Sequence, residues 1–324
     1  MRKSREIVAA SLLGAGALLS VLLPSASPAF ARNTNKSKVS LISTTDLQTA
    51  VSAAQTTGPL ILDARGGYKD YISGHVPGAR HINFDTLRGT DASGVPVQYL
   101  PDDMTRELLE RAGVATSGRM LRETIVYADG GAGDGVLSAT MVAYVLEKFG
   151  VPNVRILDGG LDDYAAVNKT SQEYPLTPRG KIAPASLSPV GVDLKTLLVD
   201  KDKKNVVMID ARPENEYLGN DTVWPRKGHI PGAISIPWRK VVDAKNSHKF
   251  LSVAETQKMF IDAGVTPDKD IIVYCGTSRE GSLLRFYLRH MAGYPNVRLY
   301  EGSWKEYAAR RELPVQTAAP AARG

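Results

Sequence analysis

Past residue 31 the chain alternates short, almost wholly apolar runs with longer stretches whose apolar positions recur at helical spacing. In the second half the runs fall at 206–209, 233–236, 271–274 and 297–300. Runs this short and this continuously apolar predict strands covered on both faces, as in a parallel sheet. Between them, 252–263 and 282–291 carry the spacing of amphipathic helices. The alternation predicts an α/β fold, a small parallel sheet with helices on both faces.

The pattern occurs twice. Asn153, Val154 and Arg155, then Asp158-Gly159 and Tyr164, return as Asn296, Val297 and Arg298, then Glu301-Gly302 and Tyr307, 143 residues later. Upstream, Asp63-Ala64-Arg65 is echoed by Asp210-Ala211-Arg212, and Gly74-His75-Val76-Pro77-Gly78-Ala79 by Gly228-His229-Ile230-Pro231-Gly232-Ala233. Three matched blocks in one order predict two tandem copies of a single unit, at 32–168 and 191–314. The proline-rich, polar stretch 169–190 reads as the linker, and 315–324 as a tail expected to fray.

The start of the chain departs from this pattern. Arg2, Lys3 and Arg5 precede an apolar run at 7–23, followed by Pro24 and the small-residue site Ala29-Phe30-Ala31. That order predicts a signal peptide at 1–31 and an exported protein, periplasmic or secreted, without stable membrane insertion after cleavage. An uncleaved anchor is the alternative, although the run is short for a bilayer span. The formal net charge is +6, nearer +4 beyond residue 31, and no basic stripe is interleaved with aromatics. Nucleic acid is therefore not the expected partner; small anions are.

The chain has one cysteine, Cys275, which can form no internal disulfide. A buried structural thiol is the ordinary reading, and the repeat argues against it. Ile125, Val126, Tyr127, Ala128 in the first copy align with Ile272, Val273, Tyr274, Cys275 in the second. Since Ala128 serves the same strand end, the cysteine is not needed to build it. The loop Gly276, Thr277, Ser278, Arg279, Glu280, Gly281 then leads to a helix expected near Ser282. Backbone N–H groups of such a loop, with a helix N-terminus, predict an anion cradle that favours thiolate. Arg279 is the expected cation of that cradle. Gly130 to Gly135 is glycine-rich without the Lys-Ser/Thr of a phosphate loop and reads as the degenerate counterpart.

The Asp-Ala-Arg block, the Gly-His-x-Pro-Gly-Ala block, the Tyr274-Cys275-Gly276 strand end and the closing Tyr300-Glu301-Gly302-Ser303-Trp304 resemble the tandem-domain rhodaneses, the thiosulfate and 3-mercaptopyruvate sulfurtransferases. The resemblance implies two rhodanese-like domains and transfer of a sulfane sulfur to cyanide or another thiophile through a Cys275 persulfide. It further implies that Asp63 and His75 of the first copy act near the cysteine, with Thr277 in place of a serine. Arg212 and Arg226 are the candidates for holding the donor's negative charge. Glu216 stands where mercaptopyruvate enzymes carry a substrate arginine, which favours thiosulfate as donor.

Two other readings stay open. A persulfide carrier or binding module without turnover would show the same motifs. A cysteine-dependent phosphatase would need arginine six residues after the cysteine, and that position is Gly281. The five histidines, among them His81, His248 and His290, show no metal-binding spacing, so neither metal nor cofactor is expected.

Overall fold

The computed structural model describes residues 38–52, 58–176, 178–184, 187–221 and 223–317. The expected signal peptide lies outside them. In chain order the first half contains β1 (Lys38–Ile42), α1 (Thr44–Ser52), β2 (Leu60–Asp63), α2 (Tyr68–Ser73), β3 (Arg80–His81), β4 (Arg88–Gly89), β5 (Gln98–Tyr99), α3 (Asp102–Arg111), β6 (Thr124–Tyr127), α4 (Val136–Lys148), β7 (Asn153–Leu157) and α5 (Gly160–Ala165). The second contains β8 (Gly191–Val192), α6 (Leu194–Asp200), β9 (Val206–Asp210), α7 (Glu214–Leu218), β10 (Ile234–Ser235), α8 (Val253–Asp262), β11 (Asp270–Tyr274), α9 (Arg279–Phe286), β12 (Val297–Tyr300) and α10 (Ser303–Ala309).

Two five-stranded sheets result, ordered β1-β7-β6-β2-β3 and β8-β12-β11-β9-β10. Every pair within them is parallel, and the two orders correspond strand for strand. The central strands β2, β6 and β11 are buried at every position, as strands covered on both faces must be. In the second half one face packs Ile209, Ile271 and Val273 against Phe260 of α8 and Leu283 and Leu284 of α9. The other packs Met208, Ile272 and Tyr274 against Leu197 of α6 and Trp304 and Tyr307 of α10.

Helix α4 is buried from Val136 to Glu147, because it lies between its own sheet and α9 of the other half. An apolar circumference is what such a position requires. Inside this contact Arg285 of α9 makes a two-pronged ion pair with Glu147 of α4, at 2.7 and 3.1 Å. His290 Nε2 lies 3.0 Å from the same carboxylate.

The duplicated blocks prove to be one network built twice. Arg65 binds the Asp63 carboxylate and the Gly74 carbonyl, while Tyr127 donates to Asp63 and receives the Val76 N–H. Arg212 binds Asp210 and the Gly228 carbonyl in the same way, and the Tyr274 hydroxyl receives the Ile230 N–H. A buried arginine fixed by a carboxylate and a carbonyl holds the strand end to the following turn. The segments read as linker and tail repeat each other as well. Ser171 pairs with His75, and Gln316 pairs with His229. Residues 315–317 are therefore tied down rather than frayed, and the linker is clamped by Arg106 to the carbonyls of Ile182 and Ala183.

Candidate active site

Cys275 follows the last residue of β11 and is fully buried. Its carbonyl accepts the Trp304 N–H at 2.8 Å, and its own N–H donates to Ser303 Oγ at 3.3 Å. Ser303 holds a left-handed φ of 53°, and its hydroxyl donates to the Tyr300 carbonyl. The first turn of α10 thus pins the strand end from below.

Three residues carry the chain from Cys275 into α9, which starts at Arg279 rather than near Ser282. The turn closes at Ser278, whose φ of 69° is left-handed and whose hydroxyl donates to the Glu301 carbonyl. In this tight loop the backbone N–H groups of Thr277 and Gly281 lie close enough to the sulfur to favour its charged form. Gly281 permits the approach: a Cβ there would lie 2.8 Å from Leu299 Cδ1. Gly276 permits another, since a Cβ there would lie 2.4 Å from the Trp224 indole. Trp224 in turn donates from Nε1 to Glu216.

The expected thiolate preference is corrected by the surroundings of the sulfur. Burial drives the Cys275 thiol well above its ordinary value, and the Glu280 carboxylate, hydrogen-bonded to it, adds to the rise. The two N–H bonds pull the other way and are outweighed. Burial therefore favours the thiol over the thiolate. Glu216 faces Glu280 and is itself pushed up by burial.

The cations expected around the donor are engaged elsewhere. Arg279 turns toward the first half, 3.4 Å from Asp134 Oδ2 and 3.5 Å from Ser138 Oγ, with its guanidinium 4.6 Å over the Phe84 ring. Arg212 is fully buried against Asp210 and stacks 4.7 Å over Trp304. Arg226 donates to the carbonyls of Arg310 and Leu313. Asp63 belongs to the Arg65–Tyr127 network, and the ring nitrogens of His75 lie 2.8 and 2.9 Å from the carbonyls of Tyr71 and Glu173. Their counterparts Asp210 and His229 make the matching bonds to Arg212 and Tyr217, so in each copy the pair serves the framework.

What the first half does bring to the loop is Arg88, whose Nη1 donates to the Thr277 carbonyl at 3.2 Å, and Tyr99, whose buried hydroxyl lies near enough to Cys275 for a thiolate there to oppose its ionisation. Trp224, Ser303, Arg88 and Tyr99 were not read from the sequence as site residues. Only Ser303 lay in a quoted block, where Gly160 of the first copy shares its left-handed φ.

A short loop holding one nucleophilic sulfur among inward N–H groups, on a twice-built parallel sheet, defines a cysteine-dependent group-transfer site. The family model for the rhodanese-like domain matches residues 44–167 and 193–310, and the chain belongs to that family. It is 40% identical over 265 residues to a putative thiosulfate sulfurtransferase of Synechococcus elongatus, covering 79% of each chain. It is 31% identical over 252 residues to 3-mercaptopyruvate sulfurtransferase of Escherichia coli K12, covering 76% of this chain and 85% of that one. The wild-type structure of EanB matches with a TM-score of 0.74 at 22% identity, covering 89% of this chain and 70% of that one. The protein is a rhodanese-family sulfurtransferase with two α/β domains of parallel strands.

Proposed function

We propose that the protein moves a sulfane sulfur from thiosulfate to cyanide or another thiophile through a persulfide on Cys275. The observation that carries this reading is Cys275 at the end of β11, in a three-residue loop whose Thr277 and Gly281 N–H groups favour a charged sulfur, where the counterpart strand end has Ala128. Once deprotonated, Cys275 attacks the outer sulfur of thiosulfate. The sulfur–sulfur bond of the donor breaks, and sulfite leaves with its electron pair. The terminal sulfur of the persulfide then bears the charge, which the inward N–H groups of the loop are placed to hold. Attack on that terminal sulfur by cyanide forms thiocyanate and returns the Cys275 thiolate.

Thiosulfate is preferred to 3-mercaptopyruvate because Glu216, not a cation, stands beside the loop through Trp224. The 40% identical relative named as a putative thiosulfate sulfurtransferase supports the same choice. Phosphatase chemistry finds no support: Gly281 occupies the position of the clamp arginine, and Arg279 faces Asp134. Steady-state rates with each donor, cyanide being the acceptor, test the preference. A higher kcat/KM for 3-mercaptopyruvate would reverse it. Export rests on the residue order ending at Ala31; N-terminal sequencing of the exported protein should begin at Arg32, and an intact Met1 would contradict cleavage.

A further inference from the structure

Cys275 is not the only side chain that the repeat marks as unnecessary to the fold. Arg80 of β3 pairs with Leu62 of β2, and at the matching register Ile234 of β10 pairs with Ile209 of β9. Helix α3 closes on Leu109-Glu110-Arg111-Ala112-Gly113-Val114, and α8 on Phe260-Ile261-Asp262-Ala263-Gly264-Val265. An isoleucine and an aspartate thus stand where the first half carries two arginines. The strand and the helix end form without them, so their charge calls for another explanation.

Both arginines line a groove of about 470 Å³ between β3 and α3, a volume suited to a small molecule. Ile82 and Leu108 add apolar wall, and among the described residues no carboxylate lines it. Arg80 is only 8% exposed. Its Nη1 donates to the Ala112 carbonyl at 2.7 Å, in the groove wall, and its Nη2 is buried with no hydrogen-bond partner among the described residues. Gly113 permits this seat: its φ is 88°, and a Cβ there would lie 2.5 Å from Arg80 Nη1. Arg122, two residues before β6, likewise has Nε and Nη2 buried without partners. Burial, with the charge of Arg122 adding to it, lowers the Arg80 guanidinium to about 10. Two such guanidinium groups without a carboxylate are a costly arrangement, which a bound anion relieves.

We propose that the groove between β3 and α3 binds a small organic oxyanion, a phosphate or sulfate ester, with Arg80 as its fixed ligand and Arg111 as its movable one. Arg80 is already held by its bond to Ala112, so little side-chain freedom is lost on binding. Arg111 is 71% exposed and engages Glu107 through Nε, which leaves its two Nη groups for the ligand. A helix C-terminus ordinarily repels an anion. Here the carbonyls of Leu108, Leu109 and Glu110 accept the N–H groups of Ala112, Val114 and Gly113, and Arg80 covers that of Ala112. The acidic groups of α3 are occupied as well: Glu107 binds Arg111 and Arg179, and Glu110 binds Arg179 and the Ile182 N–H. The half without a cysteine thereby carries a binding role of its own, one that does not depend on sulfur transfer at Cys275.

Phenyl phosphate is the probe, titrated calorimetrically into the full chain at fixed ionic strength. It should bind about tenfold more tightly than inorganic phosphate, because Ile82 and Leu108 cover its ring. Arg80→Ile and Arg111→Asp install the residues of the second copy. Each should weaken binding by about tenfold or more, the loss of one hydrogen bond to a charged group. Arg111 is exposed, so Arg111→Asp still tests the groove should thermal melting show that Arg80→Ile does not fold. A wild type that binds no phenyl phosphate overturns the proposal. So does unchanged affinity in a folded Arg111→Asp, the result expected if the anion sits at the active loop instead. Inorganic phosphate bound as tightly as phenyl phosphate overturns the organic part of the ligand.

Discussion

The loop after β6 and the loop after β11 occupy the same place in two copies of one sheet, and they differ in length, cap and contents. In the reactive copy three residues separate Cys275 from α9. In the silent copy seven, 129–135, separate Ala128 from α4. The shared frame is otherwise kept: the Ala128 carbonyl accepts the Leu161 N–H at 2.9 Å, as that of Cys275 accepts Trp304. The longer loop carries the helix N-terminus away from the strand end, so no cradle can close there. Its space is taken by the other half. Ser247 Oγ donates to the Gly133 carbonyl, the Gly159 N–H donates to the His248 carbonyl, and the His248 ring packs beside Gly135 and Gly160. The reactive loop receives Arg88 and Tyr99 in the corresponding exchange. Each half caps the other. What separates an active site from a filler is therefore more than one residue.

The largest effect is expected at the far ends of the two helices that follow these loops. Glu147→Gln breaks the pair across α4 and α9 and leaves Arg285 buried without its counter-ion, which costs about 3–5 kcal/mol. A denaturant midpoint near that of the wild type would mean that the two copies are not held together by this pair. Next comes Gly281→Ala. The new Cβ would meet Leu299 at 2.8 Å, so the first turn of α9 must shift, at about 1–3 kcal/mol of overpacking. Persulfide formation should fall more than stability does, because the Gly281 N–H leaves the sulfur. Equal persulfide rates would show that the cradle tolerates displacement.

A smaller effect concerns the silent cap. Among the described residues neither ring nitrogen of His248 has a hydrogen-bond partner, and burial lowers its pKa from 6.5 to about 4. The unfolded chain therefore takes up this proton first as pH falls. The stability His248 permits is complete above pH 6.5 and declines by about 1.4 kcal/mol per pH unit until the folded group also titrates near 4. His290, lowered by burial as well, acts with the same sign. Chemical denaturation across that window should be less steep in pH for His248→Leu than for the wild type; parallel curves would contradict the assignment. The smallest effect expected is none: Ala128→Cys should gain no second persulfide, since residue 128 has no early helix to supply N–H groups.

Much of this architecture is legible in the sequence because it is periodic or repeated. Continuous apolar runs placed β9, β11 and β12, the matched blocks announced two sheets of one order, and Ala128 marked Cys275 as chemical. What stayed hidden depends on distant segments. The two-residue strands β8 and β10 are too short to show a period. The start of α9 was placed at Ser282 because Arg279, Glu280 and Gly281 form a polar turn before the apolar stripe begins at Leu283. Arg279 looked like the loop's cation until the fold brought Phe84 and Asp134 beside it. The cradle could be foreseen from the loop; the burial that reverses its effect on the thiol could not, because it needs the helices and the other half in place.

The claim on which the account stands is that Cys275 alone, in its short loop, carries the transferred sulfur. Intact-protein mass spectrometry after incubation with thiosulfate reads it directly. The wild type should gain the mass of one sulfur atom and lose it to cyanide, while Cys275→Ser should gain nothing and turn over nothing. Sulfur retained on the serine variant, or turnover without the adduct in the wild type, would contradict it.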